Sequence, residues 1–93
     1  MAEDGNLYTR LGQVFLDRER WSDASSAFGK ALEKGSLDDS GATNLMLGIS
    51  YYHQDEIDRA RKYFGAAQGR DSTRESADRW LQLIEREAQA SQS

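Results

Sequence analysis

The fold follows from residues 44–67, which read N-L-M-L-G-I-S-Y-Y-H-Q-D-E-I-D-R-A-R-K-Y-F-G-A-A. Within this segment, Gly48, Ala60, Phe64 and Ala67 are separated by 12, 4 and 3 residues. Intervals of three and four residues bring side chains to one face of a helix. The pattern therefore predicts two short antiparallel helices that pack against each other through small residues.

The same pattern occurs 36 residues upstream. The matching pairs are Leu11/Leu47, Gly12/Gly48, Phe15/Tyr51, Ala24/Ala60, Phe28/Phe64, Gly29/Gly65 and Ala31/Ala67. A fixed period of this size in a helical sequence indicates stacked helix pairs. It also indicates a binding scaffold rather than an enzyme.

Composition argues against several other functions. The chain has 93 residues with no cysteine and one histidine, so it offers no thiolate nucleophile, disulfide or Cys-based metal site. Its net charge is −4, and neither half carries the basic surface that phosphate contacts require. No apolar run approaches the ~18 residues of a membrane span. We therefore predict no catalytic residues, no metal, no cofactor, no nucleic-acid partner and no direct membrane insertion.

Helical spacing divides the chain into five predicted helices. We expect a disordered N-terminus at residues 1–5, a first helix pair at 6–36, a linker at 37–40, a second pair at 41–72, a final helix at 73–89 and a tail at 90–93. Ser22 is placed to cap the second helix, and Gly35 is placed to end it. Three capping residues at 38–40 precede the third helix.

The final helix continues the period. Leu83 follows Leu47 by 36 residues, and Trp80 follows Asn44 by the same interval. We therefore expect a single helix equivalent to the first helix of a third pair. Such an end helix covers the apolar face that the last full repeat would otherwise expose.

Two glycines are expected to set the distance between paired helices. Gly12 and Gly48 lie in mid-helix, where glycine costs about 1 kcal/mol relative to alanine. Close approach of the paired helix would offset that cost, and Ala24 and Ala60 are the predicted facing residues. Large aromatic side chains then fill the space between one pair and the next.

The pattern resembles the tetratricopeptide repeat (TPR) family. That motif places an aromatic residue, Leu-Gly and a second aromatic on helix A, and Ala, Phe and Ala on helix B. Repeat one supplies Tyr8, Leu11, Gly12, Phe15, Ala24, Phe28 and Ala31, and repeat two supplies Leu47, Gly48, Tyr51, Ala60, Phe64 and Ala67. The resemblance implies an all-α, right-handed superhelix of two helix-turn-helix repeats and a C-terminal capping helix.

The chain departs from this family at three points. Asn44 replaces the first aromatic residue of repeat two, and Ser36 and Ser72 replace a frequent proline. The period is 36 rather than 34 residues, which we assign to two extra residues in the linker at 35–40. None of these changes removes a packing residue.

A narrower resemblance concerns three sequence segments, L-E-K-G-S-L-D-D, L-G-I-S-Y-Y and A-D-R-W-L-Q-L-I-E-R-E. They are similar to the C-terminal part of larger bacterial TPR proteins found with TonB-type energy-transduction systems. This resemblance implies a fragment of a periplasmic parent that takes part in an envelope complex. A complete chain would instead be expected in the cytoplasm.

The TPR resemblance implies that the A helices line a concave groove for a protein or peptide. The groove positions carried over to this sequence are Thr9, Gln13, Leu16, Leu45, Ile49, Tyr52, His53 and Leu81. The lysine and asparagine residues with which some family members clamp a C-terminal carboxylate are absent from these positions. Capture of an acidic C-terminal tail is therefore not expected.

Leu45, Ile49 and Tyr52 form an apolar strip with three possible interpretations. Neighbouring A helices and Leu37 could cover it, it could bind an apolar or amphipathic peptide, or it could mediate self-association. His53 is interpreted as either a helix-end cap or a partner contact. The sequence thus predicts a non-catalytic interaction scaffold, with a homo-oligomeric structural module as the alternative.

Overall fold

The computed structural model describes residues 5–92, which are helical with short connections and contain no β-strand. The helices are α1 (Gly5–Asp17), α2 (Trp21–Lys34), α3 (Ser40–His53), α4 (Ile57–Gln68) and α5 (Asp71–Gln92). The prediction of an all-α chain with five helices is confirmed. Of the predicted disordered ends, residues 1–4 and 93 lie outside the described residues, whereas Gly5 begins α1 and residues 90–92 belong to α5.

Each helix packs against the next one in the chain. Helix α1 packs against α2, and α3 packs against α4; α2 also packs against α3, and α4 against α5. Further contacts join α1 to α3 and α3 to α5. The predicted A helices α1, α3 and α5 therefore contact one another in succession, whereas α2 and α4 do not contact each other.

Local signals explain most of the helix ends. Gly35 ends α2 with a φ of 75°, a left-handed conformation that glycine adopts without strain, so that prediction is confirmed. The carboxylate of Asp39 caps α3 by accepting a hydrogen bond from the Ala42 backbone N–H at 3.0 Å. The predicted Ser22 cap is wrong, because α2 already begins at Trp21 and Ser22 lies inside its first turn.

Each pair is held together by a glycine against a phenylalanine. A Cβ atom added at Gly48 would lie 2.7 Å from Cδ1 and Cε1 of Phe64, and one added at Gly12 would lie 2.5 Å from Cε1 of Phe28. The facing residue is thus phenylalanine rather than the predicted alanine. Both rings are fully buried, so neither can retreat from an added methyl group.

Burial follows the 36-residue period at most packing positions. The buried members are Gly12, Ala24, Phe28, Ala31, Leu47, Gly48, Ala60, Phe64 and Ala67, and the half-buried ones are Phe15 and Tyr51. Leu11 is exposed, so the prediction that it packs like Leu47 is wrong. Helix α2 covers the Leu47 side of α3, whereas among residues 5–92 no helix occupies the same side of α1.

Helix α5 keeps the burial pattern of α3 only in part. Its buried residues are Thr73, Ala77 and Ile84, and Leu83 is only half-buried. Ala77 and Ile84 lie 36 residues after Gly41 and Gly48, which are also buried, whereas the half-buried Leu83 lies 36 residues after the buried Leu47. The buried face of α5 therefore matches that of α3 at Ala77 and Ile84 but not at Leu83.

Candidate interaction groove

A groove runs between α1 and α3. Its volume is about 210 Å³, and its lining residues are Asn6, Thr9, Arg10, Gln13, Asp38, Asp39, Ala42, Thr43 and Met46. The hydroxyl oxygens of Thr9 and Thr43 lie 3.1 Å apart and join the two helices at its base. Of the predicted groove residues, the structure brings Thr9 and Gln13 together here.

The connection before α3 forms one wall of this groove. The Asp38 backbone N–H donates to Oδ1 of Asn6 at 3.1 Å, which ties the connection to α1. The Thr43 hydroxyl donates to the Asp39 carbonyl oxygen at 3.3 Å. Acidic side chains of this wall thus face a groove that Arg10 also lines. The sequence prediction of the groove does not include Arg10, Asp38 or Asp39, which also line it; Asp38 and Asp39 are predicted there only as helix caps.

Most of the predicted apolar strip is packed against α5. Leu45, Ile49 and Tyr52 adjoin the core cluster of Ala60, Phe64 and Ile84, and each is half-buried. Leu81, another predicted groove residue, belongs to the same packing. Of the three interpretations of the strip, coverage by a neighbouring A helix is the one that the structure shows. Leu37 plays no part in this coverage, because it lies against Gly5 of α1.

Two further predicted groove residues do not line this groove. Leu16 packs against the core cluster of Ala24, Phe28 and Leu47. His53 stacks on Trp21, with ring centroids 4.0 Å apart and an interplanar angle of 14°. His53 therefore joins the end of α3 to the start of α2.

Aromatic contacts continue from His53 across the molecule. Tyr52 meets His53 edge-on at 5.4 Å and Trp80 edge-on at 5.2 Å, and Trp80 stacks on Phe64 at 5.4 Å. Offset and edge-to-face aromatic pairs contribute about 0.5–1.5 kcal/mol each beyond their buried area. Both tryptophans thus act as packing residues.

The hydrogen bond between Tyr52 and Glu87 yields a prediction for high pH. The Tyr52 hydroxyl donates to the Glu87 carboxylate at 2.7 Å, and this bond, with desolvation and the carboxylate charge, raises the pKa of Tyr52 above its usual value. The raised pKa means that Tyr52 contributes stability in full below the unfolded-state pKa of about 10. That contribution is lost as the pH rises through the folded-state pKa.

We expect Glu87→Ala to return the pKa of Tyr52 toward its ordinary value. The measurement is the tyrosinate absorbance during alkaline titration, with Tyr52 isolated by subtracting the Tyr52→Phe curve. Glu85→Ala is the matched control, since Glu85 is also an exposed α5 carboxylate and does not contact Tyr52 in the described bonds. An unchanged Tyr52 titration in Glu87→Ala would refute the assignment.

Comparisons with known proteins add no family to these observations. No family model, no curated protein and no solved structure matches the chain. Among the described residues, no helix combines the length and apolar character needed to cross a membrane.

Proposed function

We propose that this chain is a non-catalytic protein–protein interaction module of the TPR type. Its two helix pairs and α5 would form the right-handed superhelix that the sequence resemblance implies. Support comes from the repeated contact of Gly12 with Phe28 and Gly48 with Phe64, which spaces both pairs alike. Further support comes from the successive contacts of the A helices.

The groove between α1 and α3 is the binding surface that this proposal assigns. One wall carries the α1 residues Arg10 and Gln13, and the other carries Asp38 with the apolar Met46. Both charge signs and an apolar side chain border the same groove. This mixture favours an amphipathic peptide, whose polar groups pair with the walls while an apolar side chain reaches Met46.

The alternative of self-association through Leu45, Ile49 and Tyr52 is less well supported. These side chains already pack against the cluster that contains Ile84 of α5. A second protein would have to displace α5 before it could bury them. Alanine substitutions in this strip would also disturb the core, so they are poor probes of binding.

Exposed wall residues give a cleaner binding test. Peptides of mixed sequence would be selected on the wild-type protein from a display library. We expect the double substitution Gln13→Ala/Asp38→Ala to weaken a selected amphipathic peptide by about tenfold or more, because two polar contacts are lost. Helicity should not change, since both side chains are exposed.

The matched control is Gln89→Ala/Glu33→Ala, which removes one amide and one carboxylate from exposed sites outside the groove. It should bind the selected peptides like the wild type. If the selected peptides bind the groove variant as tightly as they bind the control variant, the groove between α1 and α3 is not the binding site.

A further inference from the structure

The outer face of α1 exposes three large apolar side chains. Leu7, Leu11 and Val14 are 59%, 44% and 48% exposed, and their spacing of four and three residues places them on one stripe. Among the described residues, the other large hydrophobic side chains are buried or half-buried. A contiguous exposed apolar patch on a small protein marks an interaction surface.

The equivalent residues of the second helix pair show how such a stripe is buried when a helix packs on it. The residues 36 positions later are Thr43, Leu47 and Ser50, and they are 1%, 1% and 0% exposed. Those residues lie on α3, which packs against α2. The same helix face is therefore buried in the second pair and exposed in the first. A helix laid across α1 would complete the equivalent burial.

A second copy of the chain could supply the helix that covers the stripe on α1. Within residues 5–92, α2 is already occupied by α3, and α4 is already occupied by α5. A second copy therefore has no free helix of the α2 kind to offer. The exposed stripe of its own α1 remains, and it matches the first copy in apolar character.

Charges beside the stripe favour an antiparallel arrangement of two α1 helices. When Leu11 of one copy opposes Val14 of the other, the heptad positions of an antiparallel helix pair place Arg10 beside Asp17 of the second copy. Two-fold symmetry forms this ion pair twice. The opposite flank then brings aromatic residues together, Tyr8 with Phe15 of the second copy.

We infer that the chain associates with a second copy of itself through antiparallel packing of the two α1 helices around Leu11 and Val14. This association shares Arg10 with the groove and would place two grooves in one particle. A single 13-residue helix offers less than the ~800 Å² per partner of a standard interface. The dimer is therefore weak and forms from about 0.1 mM upward.

Sedimentation equilibrium over a concentration series tests the inference. The wild type should shift from monomer to dimer, and Leu11→Lys should remain monomeric over the same range with unchanged helicity. Ala66→Lys is the control, since it adds the same charge at an exposed position of α4, and it should dimerise like the wild type. A wild-type monomer up to about 1 mM would overturn the inference, as would a dimer that Leu11→Lys leaves intact.

A charge reversal tests the antiparallel register. Arg10→Asp should weaken the dimer by about tenfold or more, because it places two carboxylates side by side. Arg10→Asp/Asp17→Arg should restore the dimer, because it exchanges the partners of each ion pair. A double variant as weak as the single one would overturn the register.

Cross-linking offers a second test, because the natural chain has no cysteine. In an equal mixture of Leu11→Cys and Val14→Cys proteins, the mixed disulfide should form faster than either homodimeric disulfide. Faster formation of the homodimeric disulfide of Leu11→Cys would indicate parallel helices and contradict the arrangement.

Discussion

Replacing Phe64 with alanine should lower the free energy of unfolding by about 3–5 kcal/mol, the usual cost of removing a buried phenylalanine. Phe64 is fully buried, lies in one cluster with Ala60 and Ile84, and stacks on Trp80 of α5. Its removal would leave a cavity where α3, α4 and α5 meet. Because small domains are stable by only about 5–15 kcal/mol, this loss should be plain in a urea titration followed by circular dichroism.

Val14→Ala is the comparison for Phe64→Ala. Val14 is an exposed apolar residue, so its truncation should change the free energy of unfolding by no more than about 0.5 kcal/mol at concentrations where the protein is monomeric. A Phe64→Ala cost below about 1 kcal/mol would mean that the ring is not the centre of this core.

Alanine substitutions at two glycines of the same pair should have opposite effects. Gly48→Ala should destabilise the protein by about 1–2 kcal/mol, because overpacking against Phe64 outweighs the gain in helix propensity. Gly65→Ala should stabilise it by up to about 1 kcal/mol, because Gly65 is helical and a Cβ there would meet nothing within 4 Å. Thermal and urea unfolding of both variants measures the difference.

The first pair provides an independent repeat of this experiment. Gly12 faces Phe28, whereas a Cβ at Gly29 would meet nothing within 4 Å. Gly12→Ala and Gly29→Ala should therefore show the same opposite signs. Stabilisation by alanine at both Gly12 and Gly48 would show that the helix pairs do not depend on close approach at glycine.

The sequence predicted those parts of the fold that depend on local chemistry and on the period. Five helices, the left-handed end at Gly35 and a cap from the residues before α3 all follow from nearby residues. Nearby residues do not predict which side chain faces Gly48. Ala60 and Phe64 lie one turn apart on the same helix face, and only the interhelical geometry selects Phe64.

The 36-residue period also does not show which helices pack against a given helix face. Leu11 and Leu47 occupy equivalent positions, yet Leu11 is exposed because no helix of the described chain packs on that side of α1. The apolar strip posed the same difficulty, since coverage of Leu45 and Ile49 depends on the path of α5. The groove wall formed by Asp38 depends on how the connection folds back onto Asn6, a contact 32 residues apart in sequence.

The central claim is that a glycine facing a buried phenylalanine fixes the spacing of each helix pair, and so positions the A helices beside one another. A double-mutant cycle on Gly48 and Phe64 measures this most directly. With Phe64→Leu in place, the methyl group of Gly48→Ala gains room, so we predict a coupling energy of about 1 kcal/mol or more. Effects that add to within about 0.5 kcal/mol would show that the two residues act independently and would contradict the claim.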